Sequence, residues 1–361
     1  MRDELKALTG IRAFAAWWVV LFHLRSGIVT LIPAARTYLW LVADGDKGVD
    51  LFFILSGFVL AYNYAARFAT VRPSAYLKFL CFRLARIYPA HMAALIIWIL
   101  FAVANLSVKH KAVDPRYFGL PTLIANVLLV HGWGIPLRTS WNYPAWSISM
   151  EWLAYLHFPC VIAVISRVRS TRLVLASICL LACGAPLLFD TAYSHYARLL
   201  SEFWIGCLLY ILYARRRDTN FRWDIVALFA LPATICLASV VKWFVLPVLA
   251  LTIYSLTHER GITVKVYGSR VARYWGRVSY SLYIVHAFVI SALHVLLPPD
   301  RYATSDIALR IAIVCAYLVA VAAVGAVAYH VVEEPCRNKM RAWVNRRRVV
   351  EAARELVVAA Q

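Results

Sequence analysis

The sequence predicts an all-α, polytopic transmembrane bundle of about ten spans with both termini in the cytoplasm. Three observations predict it. Apolar residues make up 63% of the 361-residue chain and charged residues 16%, against about 25% charged in an ordinary soluble domain. Several apolar runs approach the ~20 residues that a helix needs to cross a bilayer. Basic residues gather in short clusters between those runs, where orientation signals sit. In hydrocarbon, unpaired backbone groups are too costly for anything but helices or closed barrels.

The spans fall at about 9–30, 48–65, 87–105, 146–166, 173–190, 198–214, 223–241, 243–257, 279–297 and 306–331. The first follows a charged stretch, Met1–Leu8, and is long enough to remain as a span and not be cleaved as a signal. Pro121–Val130 is too short to cross and adjoins Gly132–Pro144, rich in Gly, Pro and Trp, so it reads as re-entrant or interfacial. Ten spans leave Arg67, Arg72, Lys78, Arg83 and Arg86 on the cytoplasmic side. Arg167, Arg169, Arg172, Arg215–Arg217, Arg222, Arg260–Arg277 and the Arg337–Arg348 tail fall there too. Making 121–130 an eleventh span would turn Arg215–Arg217 and the tail outside, against the positive-inside rule. The net charge of +20 is therefore a membrane signal, and a nucleic-acid partner is excluded. Eight cysteines without a CxxC pair read as small buried hydrophobes, with no metal site. No repeat, linker or long soluble stretch divides the chain, so residues 1–361 form one membrane domain, 8–335 as its core and 336–361 as a basic tail.

Ionisable residues within spans are costly and mark candidate sites. In the first span Arg12 and His23 are separated by close to three helical turns and share a face, about 16 Å apart along the axis. Arg12 falls near the cytoplasmic end and His23 in the outer half, as a functional base or as a histidine satisfied by a neighbouring helix. Asp50 opens the second span on the side of His23, and Ser56 and Gly57 permit close helix approach. Arg83 and Arg86, at i and i+3 before the third span, suit phosphate as forked donors or serve as a topology signal. Ser147 and Glu151 share a face of the fourth span, expected level with His23, where a carboxylate beside an imidazole serves general-base chemistry. Tyr283 and His286, on the ninth span, line the lower part of a polar passage, and the expected role of His330, Glu333 and Glu334 is ion pairing. Trp133, Trp141, Tyr143 and Trp146 stack on sugar faces or anchor the interface.

Together these segments resemble the acyltransferase-3 family of membrane-bound acyltransferases from Leu8 to about Pro335. The carriers are Arg12-x10-His23, the Gly48–Gly57 segment, Arg83-x-x-Arg86, Trp146-Ser147-x-x-x-Glu151, Ser279-Tyr280-Ser281-x-Tyr283-x-x-His286 and Glu334-Pro335. The resemblance implies transfer of an acyl group, usually acetyl, from cytoplasmic acyl-CoA to a hydroxyl of an extracytoplasmic polysaccharide or glycolipid. It implies a bacterial inner membrane, and acyl-CoA as a donor substrate with no tightly bound cofactor. His23 would be the catalytic histidine, as base or acyl carrier, with Arg12, Glu151 and Asp50 beside it. Arg83 and Arg86 would hold CoA phosphates, with Tyr283 and His286 on the donor path. Ser147, Trp146 and Trp141 would face the acceptor. The rival reading is a transporter or flippase with His23, Glu151 and His286 as a proton relay. It lacks the matched Gly/Pro-broken helices of inverted-repeat carriers. A phospholipid-type acyltransferase would want His-x4-Asp, which His110 and Asp114 do not provide, and a serine hydrolase a Gly-x-Ser-x-Gly elbow, which is absent.

Overall fold

A computed structural model describes residues 3–109, 114–134, 140–188, 194–216, 221–237 and 245–359, and every regular element among them is helical. The principal helices are α1 (Lys6–Leu31), α2 (Lys47–Tyr64), α3 (Pro73–Lys109), α4 (Leu120–Val127), α5 (Trp146–Ile165), α6 (Thr171–Gly184) and α7 (Ser194–Arg215). The chain continues as α8 (Trp223–Leu237), α9 (Val245–Leu256), α10 (Gly261–Tyr267), α11 (Arg270–Leu296), α12 (Ile307–Ala328) and α13 (Glu334–Ala359).

Among the described residues, seven stretches are long and apolar enough to cross a membrane: α1, α2, α3, α5, α7, α11, and α12 running into α13. The protein is an integral, multi-pass membrane protein. Three shorter apolar helices, Thr171–Leu187, Trp223–Cys236 and Val245–Leu256, stand at the other three expected spans. At 1.5 Å per residue each covers only part of the ~30 Å hydrocarbon core, which is why length alone separates them from the seven. The expected spans 223–241 and 243–257 run into residues 238–244, which lie outside the described residues, as do His110 and Arg217. The Pro121–Val130 segment is the eight-residue α4, about 12 Å long, closed by a turn in which Leu129 takes φ 57°.

One boundary changes the site. The third span begins at Pro73, well before the expected residue 87, because an uninterrupted helical stretch carries Leu77, Phe79 and Leu80 among its charges. Arg83 and Arg86 therefore sit inside a long helix instead of at its mouth.

Contacts fix the helix directions. Glu4 approaches Arg273 to 3.8 Å where α1 and α11 begin, and the His23 and His286 rings meet further along both, so the two run parallel. Arg198 binds Asp50 where α2 and α7 begin, and the Tyr62 hydroxyl donates to the Asp3 carbonyl at the other end of α2. Helices α2 and α7 are thus parallel to each other and opposed to α1. Ser147 meets Tyr283 beside the histidines and Tyr155 lies near Arg83, so α5 runs with α2 and α7.

The α2–α7 crossing explains Gly57. A Cβ there would fall 1.9 Å from the Phe203 carbonyl oxygen, and one on Gly206 would fall 2.0 Å from that of Ile54. Backbone meets backbone reciprocally, the small-residue packing by which helices associate where lipid supplies no hydrophobic drive. Around the bundle, Leu100, Leu180, Phe229 and Val319 point outward, as side chains facing acyl chains do.

Candidate active site

Five helices among the described residues close on a cavity with about 790 Å³ of empty space. Arg12 reaches it from α1, Ser56 from α2, Arg83 and Arg86 from α3, Glu151 and Tyr155 from α5, and Tyr280 and Tyr283 from α11. The i, i+3 and i, i+4 spacings of these pairs put each on one side of its helix. One oxygen of Glu151 accepts from Ser56 Oγ at 2.8 Å and from the Tyr155 hydroxyl at 2.5 Å. Arg83 donates to the Tyr64 hydroxyl at 3.1 Å and lies over the Tyr64 and Phe79 rings. The Nε groups of Arg12 and Arg83 are buried with no partner among the described residues. Three guanidinium groups thus share the cavity with one carboxylate, an imbalance that a multiply charged anion would relieve through forked, charge-assisted bonds.

The far end of the cavity is a hydrogen-bonded knot. The Tyr283 hydroxyl lies 2.8 Å from Ser147 Oγ and donates to the Pro144 carbonyl at 2.8 Å. Beyond it stand two imidazoles, His23 and His286, with ring centroids 4.9 Å apart. Tyr143, 41% exposed, lies 5.5 Å from His23 on the open side. His23 Nδ1 is 2.9 Å from the Val19 carbonyl and His286 Nδ1 is 2.5 Å from that of Tyr283. A carbonyl only accepts, so both rings carry their proton on Nδ1 and keep the Nε2 lone pair. His286 Nε2 is buried without a partner among the described residues. Such a pair can take a proton from a hydroxyl or act as a nucleophile.

The sequence-derived site residues divide into three groups. Arg12, Arg83, Arg86, Glu151, Ser147 and Tyr283 come together in the cavity. His23 and His286 form the pair beyond it, which corrects two expectations. Glu151 does not sit beside His23, because it lies a helical turn below Ser147 and is held by Ser56 and Tyr155. His286 faces His23 instead of lining the lower passage, because parallel α1 and α11 bring the two to one depth.

The third group stands apart. Asp50 is sealed at the α2–α7 contact, where Arg198 Nε donates to it at 3.0 Å and Arg198 also approaches Asp46 at 3.9 Å. That role is an ion pair between helices and corrects the expected place beside His23. Trp146 lies under the Arg198 guanidinium. Trp141, 9% exposed, turns inward to bond Thr122 at 3.2 Å and pack edge-on against Phe118, so it offers no free face to a sugar. The ion pairing expected near the chain's end is present: Arg337 binds Glu333 at 2.8 Å, Ser281 donates to Glu333 at 2.7 Å, and His330 stands 3.7 Å from Glu334.

Sequence reasoning missed Ser56 as a Glu151 partner, gave Tyr280 no role beyond its motif, and missed Tyr155, Arg198 and Glu202. Two signals were available: Tyr155 follows Glu151 by four residues, and Arg198 and Glu202 are an i, i+4 ionisable pair inside a span. Ser56 has no such signal, since its partner is 95 residues away.

Residues 5–330 match the family described as Acyltransferase domain, the acyltransferase-3 family. The chain is similar to the acyltransferase MdmB of Streptomyces mycarofaciens, 30% identical over 176 residues, which are 47% of this chain and 42% of that protein. It is similar to the O-acetyltransferase OatA of Staphylococcus aureus, 22% identical over 371 residues, 93% of this chain and 57% of that protein. The chain thus spans about half the length of these curated relatives. A protein of Rhizobium radiobacter, named only as protein 2 in the picA locus, is 30% identical over 156 residues, 40% of this chain and 75% of that protein. No solved structure matches.

Proposed function

Since residues 5–330 match its profile, the chain belongs to the acyltransferase-3 family, and we propose that it moves an acyl group, acetyl first, from cytoplasmic acyl-CoA to a hydroxyl of a polysaccharide or glycolipid at the outer face of a bacterial inner membrane. The observation that carries this reading is the charge of the cavity. Arg12, Arg83 and Arg86 against Glu151 leave two positive charges in excess, the match for a diphosphate. From Arg12 to His23 the first helix rises about 16 Å, comparable to the length of a phosphopantetheine arm. Phosphates held at the arginines would bring the thioester past Tyr283 and Ser147 to the two imidazoles.

In this scheme the acceptor hydroxyl lies against the open face of Tyr143. Its oxygen attacks the thioester carbonyl as its proton passes to His23 Nε2. The carbon–sulfur bond then breaks and the thiolate takes the proton. In the other form of the scheme, His23 Nε2 attacks the thioester carbonyl and the carbon–sulfur bond breaks to release the thiolate. The acceptor oxygen then attacks the acyl-imidazolium, the carbon–nitrogen bond breaks and the hydroxyl proton passes to the thiolate. Ten crossings with both termini in the cytoplasm put the arginines at the donor's side, and the parallel course of α1 and α11 supports that count. A proton relay through His23, Glu151 and His286 has less support, because Glu151 is bonded to Ser56 and Tyr155 and is not part of the histidine pair.

The test is acyl-CoA turnover by the purified protein in nanodiscs with a panel of glycan acceptors, beside His23→Ala. The expected result is turnover by the wild type and a loss of about 10²–10⁴-fold in a variant that still binds CoA. Absence of turnover together with absence of CoA binding would overturn the proposal.

A further inference from the structure

The cavity does not end at its arginines. Arg12 and Arg86 also line a second, wider space of about 1160 Å³ at the end of the bundle where α1 and α11 begin. This vestibule takes Arg277 from α11 and Arg337 and Arg341 from α13. Among the described residues it holds, with Arg12 and Arg86, five arginines against two carboxylates, Asp3 and Glu4. The acids are partly engaged elsewhere, since Glu4 stands 3.8 Å from Arg273. Arg337 is neutralised by Glu333 at 2.8 Å. Arg277 and Arg341 have no ion pair among the described residues, and Arg341 lies in the repulsive field of Arg83, Arg86 and Arg337. Like charges gathered as Arg341 is with Arg83, Arg86 and Arg337 cost energy unless an anion sits among them.

We infer that the vestibule is a second phosphate subsite, separate from the Arg12–Arg83–Arg86 cluster, in which Arg277 and Arg341 bind a phosphomonoester dianion. Resting on the acyl-CoA reading, the inference identifies that dianion as the ribose 3′-phosphate of the donor. The inner cluster carries two excess positive charges and is matched by the diphosphate. Arg277 and Arg341 add two more at the mouth, on elements that the inner cluster does not use. Arg86 belongs to both spaces, so one ligand can run through both. Tyr62 and Tyr329, with Asn63 and Asn338, line the same vestibule. A guanidinium pair binds a terminal phosphate by forked bonds, where a lysine would act as a point charge.

A phospholipid headgroup carries the same phosphate chemistry, and the experiment separates the two sources. Affinities for CoA and for 3′-dephospho-CoA are measured on the full chain in nanodiscs of zwitterionic phosphatidylcholine and, in parallel, with anionic phosphatidylglycerol. The wild type and the Arg277→Gln, Arg341→Gln and double variants are compared. The expected result is that the wild type binds CoA about tenfold or more tightly than 3′-dephospho-CoA in both lipids. The double variant should lose that preference while its affinity for 3′-dephospho-CoA stays within about twofold. Equal wild-type affinities for the two nucleotides would overturn the inference and leave the donor reading standing. So would a preference that persists in the double variant, or one that appears only when phosphatidylglycerol is absent, which would mark a headgroup site. Failure of both nucleotides to bind would sink the donor reading and this inference with it. A variant that binds neither while the wild type binds both would show a general loss of the fold and is checked by the single substitutions; if each single variant also loses both nucleotides equally, the subsite assignment is wrong.

Discussion

Glu151 is a single carboxylate asked to balance several cations, and its own position depends on two hydroxyls. Ser56 and Tyr155 donate to the same oxygen, at 2.8 and 2.5 Å. A hydrogen bond to a charged group contributes about 1.5–3 kcal/mol, so Ser56→Ala should lower thermal stability in detergent by that order. Ser147→Ala, which removes a bond between neutral groups, should cost about 1 kcal/mol. Melting curves of the two variants side by side check the ranking, and a Ser56→Ala protein as stable as wild type would show that Tyr155 alone holds the carboxylate. This detail bears on what a sequence discloses. Arg12, His23, Arg83, Arg86 and Glu151 stand out because ionisable groups in or beside apolar runs are costly wherever they point. Their hydroxyl partners stand out less, because serine and tyrosine cost little in a span: Tyr155 is signalled only by its i+4 spacing from Glu151, and Ser56 by nothing local. The placement of His286 depended on the depth of α11 relative to α1, which no local spacing encodes. Trp141 was misjudged for a related reason: with φ 55° it sits in a turn whose geometry decides which way the ring faces.

At the scale of the helices, the close crossings are the features most sensitive to a single added methyl group. The α2–α7 contact places Gly57 and Gly206 each within 2.0 Å or less of a carbonyl oxygen, once a Cβ is built. No side-chain rotation relieves a clash with backbone, so Gly57→Ala and Gly206→Ala must push the helices apart. That movement would disturb Ser56, next to Gly57, and Arg198 on α7, so both variants should lose yield of folded protein and activity together. Gly184, at the end of α6, has nothing within 4 Å of a built Cβ. Gly184→Ala should therefore be neutral or stabilise by up to ~1 kcal/mol through helix propensity. Size-exclusion profiles of the three variants in one detergent check this, and equal behaviour would refute the close-crossing account. All of the expected spans have a helical counterpart, since apolar runs are the strongest signal that a chain in lipid can carry. What the runs could not convey was where α3 begins, because Lys78, Arg83 and Arg86 interrupt the apolar run without interrupting the helix.

For the whole molecule, the directions of the helices constrain how many of them cross. If only the seven long stretches crossed in alternation, α11 would be the sixth and would oppose α1. The two are parallel, joined by Glu4 and Arg273 at one end and by His23 and His286 further along. Helices α5 and α7 also run the same way, so the 14-residue α6 between them must return the chain from one face to the other. Helices α8 and α9 then leave and come back: Trp223, at the start of α8, stacks on His258, which follows α9. Counting α6, α8 and α9 as crossings gives ten and puts both termini on one side, together with the basic clusters that the positive-inside rule holds in the cytoplasm. Short helices can serve if the surrounding bilayer thins or their polar ends reach outward to water. The prediction is that green fluorescent protein fused after Gln361 is fluorescent and alkaline phosphatase fused there is inactive. Alkaline phosphatase inserted in the 297–306 connection between α11 and α12 should be active instead. A seven-crossing protein would place its two termini on opposite faces, so an active phosphatase at the C-terminus with a cytoplasmic N-terminus would reject ten crossings. That outcome would also place Arg337 and Arg341, next to the C-terminus, on the face opposite Asp3 and Glu4, although all four line one vestibule, and the charge argument for acyl-CoA would lose its geometry.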